Sequence, residues 1–320
     1  MWKVILRRFL LMIPQLFVLS LLIFIMAKFM PGDPFTGLIT PDTDPSRIEE
    51  LRQEAGFYDP WYVQYYNWIS NALQGDFGRS YTFKVDVATL IGERGMNTLW
   101  LAILSFILIY IIAIPLGVLA GRFQNTLVDK SVVLYSYISY AIPTFVLSLI
   151  FLYLLGYKFP LFPTSGTVDV AYEPGTYDYF KSKFYHLLLP AITYALLSTT
   201  TIIQYLRSEI IDAQTQDYVK TARSKGIPIN KIYNKHIFRN SLLPVAAFIG
   251  YTMSVLLGGS VFIETIFGYP GMGQLFIHSI QARDYSVITA LILLFGLLTL
   301  IGSLISDIIM SIVDPRIRVD

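Results

Sequence analysis

Six long apolar runs alternate with polar intervals of very different length along this chain. They cover Phe9–Phe29, Asn97–Ala120, Ser131–Tyr157, His186–Leu206, Leu242–Phe267 and Ser286–Val313. Each supplies the roughly 20 apolar residues that a helix needs to cross a hydrocarbon core. Open strands are excluded, because lipid offers unpaired backbone amides and carbonyls no partner. The pattern predicts an all-α integral membrane protein with six transmembrane helices. Proline falls inside the runs at Pro14, Pro115, Pro143, Pro190 and Pro244. Each removes a backbone donor, so bent helices are expected at these places.

Composition agrees. Of 320 residues, 54% are hydrophobic and 14% charged, with mean hydropathy +0.56; soluble domains carry about 25% charged residues. A net charge of only +2 argues against a nucleic-acid partner. The chain has no cysteine, which excludes disulfides, thiolate catalysis and cysteine-ligated metals.

Lys3, Arg7 and Arg8 precede the first run as in a signal peptide. That run is too long, however, and passes into "MAKFMPGDP" without a small-x-small cleavage site, so it reads as a retained anchor. With the N-terminus inside, the inner segments hold 14 cations against 7 acids and the outer segments 10 against 15. That bias follows the positive-inside rule and puts the C-terminus in the cytoplasm too.

Residues 31–96 form the longest extramembrane stretch. Ser46 and Glu49 have capping-box spacing. Asp59 and Pro60 open a second helix whose Trp61, Tyr65, Trp68 and Ile69 share a face and which Gly75 ends. That aromatic face suits packing at the membrane surface or docking of an external protein.

Enzyme signatures are missing. There is no Gly-x-x-x-x-Gly-Lys-Ser/Thr phosphate loop, no Gly-x-Ser-x-Gly elbow, and His186, His236 and His278 lack zinc-ligand spacing. Charge inside the runs is confined to their ends, with Glu264 near the outer end of the fifth and Asp307 near the inner end of the sixth. Ion-coupled carriers keep ionisable groups at mid-membrane, so the shortage counts against that class. The interior polar groups are neutral: Ser136, Ser139, Thr144, Thr200, Gln204, Thr252 and Ser254 are the candidates to line a passage. The alternative role for each is a hydrogen bond between helices.

Between the fourth and fifth runs lies a conspicuously basic segment, "DYVKTARSKG" at 217–226. Asp217 is placed to cap a short helix with Tyr218, Val219 and Ala222 on its apolar face. Gly226 supplies a left-handed terminus and Pro228 prevents continuation. Lys220, Arg223 and Lys225 gather toward the negative end of the helix dipole, with Thr221 among them. Asn230 is placed to cap a second helix, where Lys231, Lys235 and Arg239 make a basic stripe facing lipid phosphates. Two readings fit the first helix: an interfacial anchor, or a rigid plug that inserts into a cytoplasmic partner.

"DYVKTARSKG" followed by "HIFRNSLLPV" resembles the cytoplasmic loop of permease subunits in ATP-binding-cassette importers, and within them the first permease of the oligopeptide/dipeptide branch. "RRFLLMIPQL…MPGDP", "ETIFGYPGMGQLF…ARDYSVI" and "SIVDPRIR" agree, in the expected order across the whole chain. The general Glu-Ala-Ala triplet is replaced by Lys220-Thr221-Ala222, and the gap to Leu243-Pro244 has the longer form of the peptide branch. The resemblance implies a type I importer permease in the prokaryotic cytoplasmic membrane, a transport subunit and not an enzyme. Its expected partners are a second permease, two cytoplasmic ATPases that bind ATP and Mg, an extracytoplasmic peptide-binding protein and membrane lipid. No cofactor or metal is expected in this chain. Asp217–Gly226 would be the coupling helix, with its apolar face in a partner groove. The implied division is 1–30 for the N-terminus and first span, 31–96 for an outer helical segment, and 97–320 for a five-helix core with its coupling loop at 207–242. Related systems carry nickel, glutathione or oligosaccharides; an ion-coupled secondary carrier is the reading from another class.

Overall fold

The computed structural model describes residues 2–29, 45–54, 56–80 and 82–313. The "MPGDP" stretch and the residues after Val313 lie outside them. Among the described residues the protein is helical, with no β-strand and a single isolated bridge between Arg79 and Asp86.

Four helical runs are long and apolar enough to cross a membrane: Ile5–Phe29, Val87–Arg122, Ile229–Ile266 and Tyr285–Val313. Two bent pairs, Leu127–Ala141 with Thr144–Lys158 and Tyr177–Ser198 with Thr200–Gln214, bring the total to six when each pair counts as one span. We name the helices α1 (Trp2–Phe29), α2 (Pro45–Glu54), α3 (Trp61–Leu73), α4 (Val87–Arg122), α5 (Leu127–Ala141), α6 (Thr144–Phe151) and α7 (Tyr177–Ser198). The series continues with α8 (Thr200–Gln214), α9 (Asp217–Ser224), α10 (Ile229–Lys231), α11 (Phe238–Leu257), α12 (Val261–Ile266), α13 (Met272–Ala282) and α14 (Tyr285–Val313). Wider π-type turns extend α6 through Leu152–Lys158 and join α10 to α11 through Ile232–Ile237.

The expected bends are only partly where proline stands. Pro143 does break its run: Ile142 is extended, as a residue before proline prefers, and the two halves meet at 101°. Pro14, Pro115, Pro190 and Pro244 instead lie inside helices that continue through them. The 42° bend between α7 and α8 has another cause. The Leu196 carbonyl accepts from the hydroxyls of Tyr135 (2.8 Å), Ser139 (2.6 Å) and Thr199 (3.1 Å). Side-chain donors that capture a helix carbonyl in this way open the ladder.

Helix starts also sit one or two positions from the expected ones. α2 already includes Ser46, α3 has Pro60 as its cap residue, and α9 begins on Asp217 with Gln216 before it. Asn230 lies within α10, which runs on into α11, so there is no separate second loop helix to cap.

The main core joins α4, α5, α7, α8, α9 and α11 through residues such as Ile109, Ile203, Leu206 and Ile210. α11 and α14 approach closely along Gly250, Ser254, Gly302 and Ser306, where the Ser254 hydroxyl donates to Gly250 and Leu298 carbonyls at 3.0 and 2.9 Å. Small residues four apart let membrane helices come this near. The aromatic face of α3 packs on α1: Tyr65 meets Phe17 and Phe24, and its phenol pairs with the Ser20 hydroxyl at 2.8 Å. Trp61 remains exposed at the end of that face.

Candidate functional site

Polar groups concentrate at three places: the α9 end of the bundle, the opposite end around Glu264, and the helix breaks between them.

At the first, α9 is fixed from within. Val219 and Ala222 are buried in the main core beside Ala213, Ile232 and Ile237. The expectation that this apolar face is free for a partner is therefore corrected, since its own chain covers it. What α9 turns outward is Asp217, Tyr218, Lys220, Thr221, Arg223, Ser224 and Lys225. Lys220 and Asp217 form an exposed pair at 2.9 Å, worth little in stability. The helix ends as its sequence predicts. Gly226 has φ +69°, its amide donates to the Arg223 carbonyl at 2.9 Å, and the Ile227 amide donates to Ala222 at 3.2 Å. These two bonds and the left-handed glycine make a Schellman termination.

Neighbouring helices are tied to this end. Arg207 on α8 forks onto Asp129 of α5 at 2.6 and 2.9 Å, and the Asn125 amide donates to the same carboxylate at 2.8 Å. Arg122 closes α4 by donating to Asn230 and lying over the Tyr233 ring, 4.8 Å from its centroid. Lys235 and Arg239 do not form a simple lipid-facing stripe with Lys231, because the π-turn at 232–237 breaks the four-residue register. They line an open cavity of about 830 Å³ opposite Glu209 and Asp212.

At the opposite end Glu264 is wholly buried, yet its carboxylate is satisfied. One oxygen accepts from the Thr98 hydroxyl at 2.9 Å and the other from the Gln274 amide at 3.0 Å, with the Gly273 amide also donating to the group. These amides open α13, so Glu264 caps a helix eight residues further along the chain, where the favourable end of the dipole meets a negative group. Gly271 is required by proximity: a Cβ there would lie 2.5 Å from both the Glu264 carboxylate and the Thr98 hydroxyl oxygen. Asn97 donates to the Pro270 carbonyl at 2.9 Å and its own carbonyl accepts from Tyr269 at 3.1 Å. Burial, and then the nearby Glu264 charge, push the Tyr269 phenol upward from its usual range. Asp284, also buried, accepts from Ser80 at 2.5 Å and closes the same end.

The candidate passage residues divide. Ser136 and Ser139 spend their hydroxyls on the Val132 and Leu196 carbonyls, Thr200 donates to Ser136 at 3.3 Å, and Ser254 ties α11 to α14. Gln204 keeps a buried amide nitrogen without a partner. Thr144 and Thr252 line open space. The first belongs to a cavity of about 370 Å³ and the second to one of about 260 Å³; Tyr194 and Ser198 border both. Tyr194 and Tyr251 went unnoticed in the sequence, where tyrosine in an apolar run reads as core. Among the described residues no group of three or more His, Asp or Glu side chains is placed to hold a metal.

Residues 113–319 match the family described as "Binding-protein-dependent transport system inner membrane component", and residues 1–102 match its N-terminal companion. The chain belongs to this family. It is thus the permease component of an ATP-binding-cassette import system, resident in the bacterial inner membrane. Its relatives include the oligopeptide transport system permease protein AppB of Bacillus subtilis (strain 168), 40% identical over 315 residues and 98% of each chain. The glutathione transport system permease protein GsiC of Escherichia coli (strain K12) is 33% identical over 318 residues, 99% of each chain. Two structures of inward-facing conformations of the MetNI methionine ABC transporter share the fold, with TM-scores of 0.55 and 0.56 at 16% identity. Each alignment covers 70% of this chain and 96% of the other.

Proposed function

We propose that this chain is the first of two permease subunits that together carry oligopeptides or dipeptides across the cytoplasmic membrane. It crosses six times, with both termini in the cytoplasm. In this reading 1–30 supplies the N-terminal span, 31–96 the outer segment and 97–320 the core with its loop at 207–242. α9 with its terminating turn, Asp217–Gly226, is the coupling helix. Two ATPase subunits bind ATP and Mg, one of them gripping the outward polar face of this helix and the other that of the second permease, while an extracytoplasmic binding protein delivers the peptide.

The observation that carries this is the two-sided seating of α9. Its apolar side belongs to the bundle core and its charged side is offered outward. A push on that side reaches α8, α11 and α4 through packed side chains without first ordering a loop. An interfacial anchor would place the apolar face in lipid instead. The 98% overlap with an oligopeptide permease supports the substrate class.

Reconstitution of the chain with a second permease, its ATPases and binding protein tests the reading. ATP-dependent peptide uptake is expected with all partners present and none with this chain alone. Uptake driven by an ion gradient without the ATPases contradicts it. A glutathione system is the second reading, supported by the full-length likeness to GsiC; competition between glutathione and longer peptides separates the two.

A further inference from the structure

The two cavities at the helix breaks carry an inference that rests on the peptide-permease reading and extends it. One is lined by Thr144, Tyr194, Ser198 and the turn Gly259–Ile263; the other by Tyr194, Ser198, Thr201, Phe248, Tyr251 and Thr252. Because Tyr194 and Ser198 border both, the spaces adjoin around one point. That point is the α7–α8 break, where the Leu196 carbonyl is held by three hydroxyls and the run turns by 42°. The upper wall is a second break, Gly258–Ser260, between α11 and α12. Two interrupted helices therefore face each other, one broken near the middle of Tyr177–Gln214 and the other toward the Glu264 end of Ile229–Ile266. Such interruptions are where membrane transporters place substrate sites, because they expose backbone polar groups inside the bilayer.

The chemistry of the walls is consistent. Neither cavity is lined by a charged side chain; the polar groups are hydroxyls and phenols, and the rest is aromatic or aliphatic. Hydroxyls donate and accept alike, which suits peptide amides of any sequence. A fixed charge would select one side chain or terminus and hold it too long for release. The combined space, 370 and 260 Å³, falls within the range of about 300–1,000 Å³ typical of small-ligand sites.

We infer that Tyr194, Ser198, Thr201, Tyr251 and Thr252 form a resting site in the passage that holds a peptide by its backbone through neutral hydrogen bonds. The polar residues where α5 meets α8, Ser136 and Ser139 on α5 and Thr200 on α8, lie outside it because their hydroxyls already serve helix contacts.

The chain has no cysteine, so Ser198→Cys and Thr252→Cys each place one thiol in the space. In the complete reconstituted transporter, a small thiol reagent is expected to label both, and peptide delivered by the binding protein to slow labelling about tenfold, as a ligand covering its pocket would. Tyr194→Phe with Tyr251→Phe removes two phenolic hydroxyls without changing volume. It is expected to lower peptide uptake per ATP hydrolysed while leaving binding-protein docking intact. Labelling rates unmoved by peptide at both thiols, in a complex that imports it, overturn the resting site and leave the transport reading standing. A wild-type complex that hydrolyses ATP and imports no peptide overturns the transport reading itself.

Discussion

The two ends of the bundle handle charge in opposite ways. Around Glu264 the charge points inward, and helix amides, a hydroxyl and a glycine-cleared space satisfy it. On α9 the apolar residues point inward and every charge is left to the outside. Inward charge is costly unless every partner is in place, so it fixes one geometry and serves as a pin. Outward charge adds little to stability and is available to a partner. Both ends carry polar sequence, but one is built to hold still and the other to be held.

Breaking the pin has the largest expected effect. Glu264→Ala leaves two amides unpaired and the Thr98 hydroxyl without an acceptor for its proton, at about 1–3 kcal/mol each. Thermal unfolding in detergent should report a loss of about 4 kcal/mol, and a loss under 1 kcal/mol would mean the cap is dispensable. Arg207→Leu tests whether burial or location matters, since it lies toward the α9 end yet pairs with the buried Asp129. Its removal strands that carboxylate, and about 3 kcal/mol is expected. A loss as small as that of an exposed pair would erase the contrast between inward and outward charge.

Gly226 comes next. A Cβ there meets nothing within 4 Å, so only the left-handed backbone penalises substitution. Gly226→Val should cost about 1–2 kcal/mol, whereas Gly226→Asn, which tolerates that conformation, should cost less. Local hydrogen exchange at Ile227 checks the turn, and equal effects of the two would point to a lost contact. Smallest in stability is Lys220→Glu, expected within about 0.5 kcal/mol of wild type because the site is exposed. Its effect should appear as weaker, salt-dependent ATPase docking; docking unchanged across ionic strength would contradict that.

Much of this was legible in the sequence for local reasons. Apolar runs set the spans, Gly226 and Pro228 end α9, and Gly75 with φ +84° ends α3. The rest depends on partners distant in the chain. Nothing local tells that Glu264 is buried against Thr98 of α4, because that bond spans 166 residues. Proline marks the expected bends, yet the α7–α8 bend has none at its break and is made by hydroxyls of α5 and of Thr199. The apolar stripe of α9 was visible, but periodicity does not say whether a partner or the chain itself will cover it. Of the passage candidates, Thr144 and Thr252 reach open space, whereas the serines were indistinguishable from them until their carbonyl partners were known.

The claim that α9 is seated by its own core and gripped from outside is tested most directly by single cysteines at adjacent positions. In the assembled transporter, Lys220→Cys should crosslink to the ATPase subunit, while Val219→Cys, at 0% exposure, should resist both reagent and crosslinker. Equal reactivity of the two, or a Lys220→Cys that captures only lipid, would contradict the account.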